Sequence, residues 1–197
     1  MSMLGWSIFF GIWAIAIVGL IAAMAKGRRP RTEEEQRLDD EEQIEDASTL
    51  KPIEELYVEI KWDGESGWQA GAQKAHGMTK EYLEENGMTN EEAVMAIGSL
   101  ISKHFADGKI CLLGHNVVTF DIWFLKRLFR KFDIELKFGA RHIDTNSVGF
   151  VNWETFNSDD LFELVGFDQR GKHNALDDAR MALEAARQTR VIFKSVF

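Results

Sequence analysis

The sequence predicts an α/β domain preceded by an apolar N-terminal segment. Three observations predict it. From residue 51 onward apolar runs with strand periodicity alternate with runs of helical periodicity. The 197 residues are 45% hydrophobic and 11% aromatic, enough for one real core. An uncharged stretch, residues 4–25, stands apart from everything after it. Charge divides the chain in the same places: of the net −9, residues 1–31 carry +4, residues 32–50 carry −8 and the remainder −5. A net-negative domain disfavours broad, unassisted nucleic-acid binding but is compatible with a site where metal ions offset clustered carboxylates. The single cysteine, Cys111, excludes a disulfide framework and a cysteine-based zinc site, and fits a reducing compartment.

At about 1.5 Å per residue the uncharged stretch reaches roughly 33 Å, enough for a bilayer core of about 30 Å. Ala23-Met24-Ala25 has the small-x-small form of a cleavage site, but the positive charges follow the apolar run instead of preceding it. Lys26, Arg28, Arg29 and Arg31 should hold that flank on the cytoplasmic side. The expectation is an uncleaved anchor over residues 1–26: one transmembrane helix, in the membrane through residues 4–25, with the C-terminal domain cytoplasmic. Residues 27–50 then form a charged linker. Between Thr32 and Asp46 only Leu38 and Ile44 are large and apolar, too few to bury a face. Residues 51–197 form the domain.

Leu56–Trp62 alternates as a strand, and Asp63-Gly64 supplies a hairpin-like turn. Thr79 is placed to cap a short helix. Thr89 and Glu92 form a capping box for a longer one reaching about His104, with Ala93, Ile97, Leu100 and Ile101 on one stripe. Lys109–Leu113 is a buried strand, and Gly114–Leu125 carries the chain through a polar turn into an amphipathic helix. Asp121 thus stands at a helix start, beyond the carboxyl end of a strand, where N–H groups and the dipole favour an anion. A plain capping role is the alternative. In that helix Lys126, Arg127, Arg130 and Lys131 read as a solvated face rather than a phosphate track. Ile134–Phe138 and Ala140–Thr145 read as extended connections, with Asp144 near the end of the second. Residues 158–167 form a capped short helix closed by Gly166. Asn174–Val191 is a strong helix with Ala175, Ala179, Ala182, Leu183 and Ala186 packing inward.

Just before that last helix stands His173-Asn-Ala-Leu-Asp-Asp178-Ala. A histidine near pKa 6.5 can take a proton from water at neutral pH, and aspartates at short range can hold divalent ions that clamp a phosphodiester. The whole set, G-H-N-x-x-x-F-D-x-x-F-L at Gly114–Leu125, I-D-T at Ile143–Thr145 and H-N-A-L-D-D-A at His173–Ala179, closely resembles the DEDDh 3′–5′ exonucleases. His76-Gly-Met-Thr79 resembles the H-G-I-T segment of that family. The resemblance covers roughly residues 50–195.

It implies a ribonuclease-H-like fold, a mixed sheet flanked by helices. It also implies metal binding by Asp121 and Asp178, with His173 as general base, and contact with the terminal nucleotide by Asn116, Phe120, His76 and Thr79. Asp144 would be a supporting acid. The implied cofactors are two Mg²⁺ or Mn²⁺ ions and the implied partners single-stranded DNA or RNA 3′ ends. One departure stands out. The family's first motif, D-x-E at the end of its central first strand, is not found upstream of His76. Asp39-Asp40-Glu41 and Asp40-Glu41-Glu42 satisfy it only formally, because no apolar strand precedes them. Without that strand the sheet has an open position: either another segment of the chain, a protein partner or a second copy fills it, or the gene is remodelled or truncated. Two functions are therefore expected: a membrane-tethered exonuclease of reduced activity, or a degenerate, non-catalytic exonuclease fold that binds nucleic acid or a protein partner at the membrane.

Overall fold

The computed structural model describes residues 14–18, 50–62, 64, 67–105, 109–167 and 174–196, the side chains of 14–18 and 191–196 excepted. Among them the elements run β1 (Ala14–Val18), β2 (Glu55–Glu59), α1 (Ala70–His76), α2 (Lys80–Asn86), α3 (Asn90–Phe105), β3 (Leu113–Gly114), α4 (Asp121–Arg130), β4 (Ile143–Asp144), α5 (Thr145–Trp153), α6 (Ser158–Leu164) and α7 (Ala175–Val196). Helices flank a small parallel sheet, a mixed α/β arrangement that fits the ribonuclease-H-like fold.

The first correction lies in β1. It pairs antiparallel with β2, Ala14 opposite Glu59 and Val18 opposite Glu55. Residues 14–18 therefore belong to a strand, not to a membrane helix spanning 4–25; the rest of that stretch, like the linker 27–49, lies outside the described residues. Among the described residues no helix is long and apolar enough to cross a membrane. The physical reason is that an uncharged run suits a strand buried on both faces as well as a lipid-facing helix. Ala-Ile-Ala-Ile-Val also has the β-branched residues that favour the extended form. The open sheet position beside β2 is thus occupied by the chain's own N-terminal segment, which α7 also contacts.

The expected hairpin after Trp62 is not formed among the described residues. Beyond β2 the ladder continues at Ile60, bridged in parallel to Met88, with Glu59 O accepting from Met88 N–H at 2.7 Å. The segment expected as one strand from Lys109 is interrupted but continuous in direction. Ile110 bridges Phe138 in parallel, and Leu113 and Gly114 pair with Ile143 and Asp144. The two extended connections are hence the partners of this segment.

Helix starts follow the sequence closely. Thr79 Oγ1 accepts from Tyr82 N–H at 3.1 Å, and Thr89 and Glu92 close the capping box in both directions. Asn174 Oδ1 caps α7 by accepting from Leu176 and Asp177 N–H. The main core gathers Val58, Ile97 and Leu100 with Leu125, Leu128 and Phe129. A second cluster joins α6 to α7, and a third packs Leu50, Leu183 and Ala186 beside Leu113. Helix α7 lies against β1, β2 and β3, so it fixes what those strands deliver at their ends.

Candidate active site

Strand β3 ends at Gly114, and the chain turns sharply through Asn116, which has φ 60. Asparagine is among the residues that tolerate this left-handed backbone. Asn116 O then accepts from Phe120 N–H at 3.1 Å and from Thr119 Oγ1 at 3.1 Å, and α4 begins at Asp121. The turn is pinned from β4. Asp144 Oδ1 accepts from the backbone N–H of Asn116 at 2.9 Å and from that of Asn146 at 3.0 Å. Asp144 thereby caps α5 and fixes the β3–α4 turn with one oxygen. Asn146 Nδ2 donates to Asn116 Oδ1 at 2.9 Å, and His115 Nδ1 lies 3.3 Å from the hydroxyl of fully buried Thr145.

Asp121 is exposed by surface area, yet protein atoms crowd its carboxyl. That desolvation pushes the group up to about 7; its own backbone N–H opposes the rise and the like charge of Asp144 adds to it. Water still reaches the residue, so solvent screening holds the energetic weight of the shift below its full value. Phe120 stacks in tilted fashion on Phe124, ring centres 5.0 Å apart.

Asp178 sits half-buried in the first turn of α7, its N–H donating to Asn174 O at 2.8 Å. Leu176 and Ala179 pack against the Leu50, Leu183 and Ala186 cluster, as does Leu113 of β3. Helix α7 thus packs against β3, the strand from whose end the Asp121 turn departs. His173 lies outside the described residues. His76 and Thr79 are engaged locally. His76 Nδ1 accepts from Met78 N–H at 3.0 Å, burial holds the ring's pKa below its ordinary value, and Thr79 caps α2.

The structure thus ties Asn116 to Asp144, couples Asp144 electrostatically to Asp121, and packs the helix that carries Asp178 against β3. Sequence reasoning missed His115, Thr145 and Asn146. Only the Asp-x-Asn capping pattern at 144–146 offered a signal.

The two-ion site implied by the family does not fit the described residues as they stand. Among them no group of three or more His, Cys, Asp or Glu side chains is arranged to hold a metal. The strand paired with β2 reads Ala-Ile-Ala-Ile-Val, without an acid.

A search among curated proteins finds no match. A family model described as an exonuclease of the RNase T type matches residues 44–186, most of the chain and all of the elements from β2 to α6. The chain therefore belongs to the RNase T exonuclease family, within the DEDDh superfamily.

Proposed function

We propose that the chain is a 3′–5′ exonuclease-type phosphodiester hydrolase that trims single-stranded DNA or RNA to nucleoside monophosphates. The observation that supports it is the turn beyond β3, where Asp121 starts α4 within reach of the like charge of Asp144, whose carboxylate pins the same turn at Asn116. In this reading the terminal nucleotide stacks on Phe120 and is held by Asn116, whose backbone Asp144 fixes. His173 accepts a proton from water, whose oxygen attacks phosphorus. The bond from phosphorus to the preceding 3′ oxygen breaks, that oxygen takes a proton, and a 5′-monophosphate leaves.

A second reading, a degenerate fold that binds strand ends without cutting, is favoured because no three-ligand cluster forms among the described residues and β1 carries no acid. One assay divides them. The full chain is incubated with 3′-labelled single strands and Mn²⁺, beside His173→Ala. Mononucleotide release that the substitution lowers at least a hundredfold supports catalysis. Binding with no release, or equal release from both proteins, overturns it in favour of the second reading.

A further inference from the structure

Helix α4 carries more than the site at its start. Beyond Asp121 it contains no acid, whereas Lys126, Arg127 and Arg130 follow in its last two turns. A merely solvated face would be expected to mix both signs. Its far end borders a cavity of about 320 Å³ lined by Lys109, Lys126, Arg130, Glu135, Lys137 and Phe138, four cations to one carboxylate. None of those four cations forms an ion pair among the described residues. Lys126 Nζ stands 5.4 Å over the Phe138 ring. Between this cavity and Asp121 lies exposed Trp123, with the Arg127 guanidinium 5.4 Å from its ring centre. Trp123, Arg127 and Arg130 are spaced four and three residues apart, so they share one side of the helix.

We propose that this stripe and cavity hold the sugar-phosphate backbone of the single strand whose 3′ end lies at Asp121. The proposal rests on the nuclease reading above. Cations interleaved with an exposed aromatic are what a sequence-independent strand track requires, and on a chain of net charge −9 a local positive run attracts a polyanion selectively. From Asp121 to Arg130 the helix rises roughly 14 Å, about four nucleotides at a stacked spacing of ~3.4 Å. A dinucleotide would therefore not reach the cavity, and a strand of about twelve nucleotides would.

The test measures binding by fluorescence anisotropy of the full chain with 5′-labelled strands of both lengths, in Ca²⁺ to suppress cutting. The proteins are wild type, Lys126→Glu/Arg130→Glu and the milder Lys137→Gln, each checked for an unchanged circular dichroism spectrum. The double substitution is expected to weaken the longer strand about tenfold or more and to lower the salt slope by roughly 1.4, about 0.7 per lost phosphate contact. Lys137→Gln should act two- to threefold in the same direction, and neither should affect the dinucleotide. Equal weakening of both lengths, no weakening, or binding to phosphatidylserine vesicles in place of the strand overturns the track. If the wild-type protein releases mononucleotide while the substitutions leave the long strand unaffected, the track fails and the nuclease reading stands. Length-dependent loss without any hydrolysis in Mn²⁺ leaves the track standing and removes the nuclease reading.

Discussion

Between its ordinary value of 3.8 and its folded value of about 7, the Asp121 carboxyl binds more protons in the folded chain than in the unfolded one. Stability contributed by this group therefore falls as pH rises from about 4 to about 7. Asp121→Asn, which mimics the neutral acid, is expected to match wild type near pH 4. Above pH 7 it should melt about 2–4 °C higher, since screening reduces the effect to on the order of 1 kcal/mol. Thermal midpoints across that range check it, and parallel curves would show that the carboxyl is not perturbed. Asp144 permits a sharper dissection. Asp144→Ala removes the acceptor of two backbone N–H groups and is expected to cost about 1–2 kcal/mol in urea unfolding. Asp144→Asn keeps that oxygen and should cost less, while the Asp121 carboxyl, relieved of a like charge, titrates lower by NMR. Asp121 and Asp144 were legible because each stands in a local pattern. The His115–Thr145 contact was not, because it exists only once β3 and β4 pair across thirty positions.

Where an element starts is written in a few adjacent residues, which is why Thr79 and Thr89–Glu92 could be read as caps. What an element packs against is not. Gly87 shows the difference. It ends α2 with φ −75, a conformation open to alanine, and Gly→Ala at such a position commonly stabilises by about 0.4–1 kcal/mol. Here a Cβ would meet Leu83 O at 2.6 Å and Lys61 N at 2.8 Å, both backbone atoms beside the Ile60–Met88 bridge. Gly87→Ala is therefore expected to destabilise by about 1–3 kcal/mol, read as a lower urea midpoint. Helix α5 escaped the sequence reading for a related reason. Its periodicity is weak, and its start depends on Asp144 capping it at the end of a two-residue strand. Strand β1 escaped because hydropathy reports exclusion from water without saying whether lipid or protein does the excluding.

At the scale of the molecule the two readings of the N-terminal segment make opposite predictions. If β1 completes the fold, deleting residues 1–26 bares the edge of β2 and part of the α7 face. The shortened chain should then lose more than about 3 kcal/mol or aggregate, measured by urea unfolding and light scattering. A separate anchor would leave the melting midpoint of the remainder unchanged. The family was legible from about residue 50 onward; the strand paired with β2 was not, because it lacks the acids by which the family's first strand is known. The placement of α7 has one more consequence, and it concerns time. This helix lies against β1, β2 and β3, yet it is made long after all three. At about 5–20 residues per second, β1 waits through synthesis of every element between them before its helical cover emerges from the ribosome. For those seconds an uncharged, β-branched segment is open to chaperones, proteases and bilayers alike. The five residues that pair with β2 are thus also the ones that make the chain hazardous to synthesise.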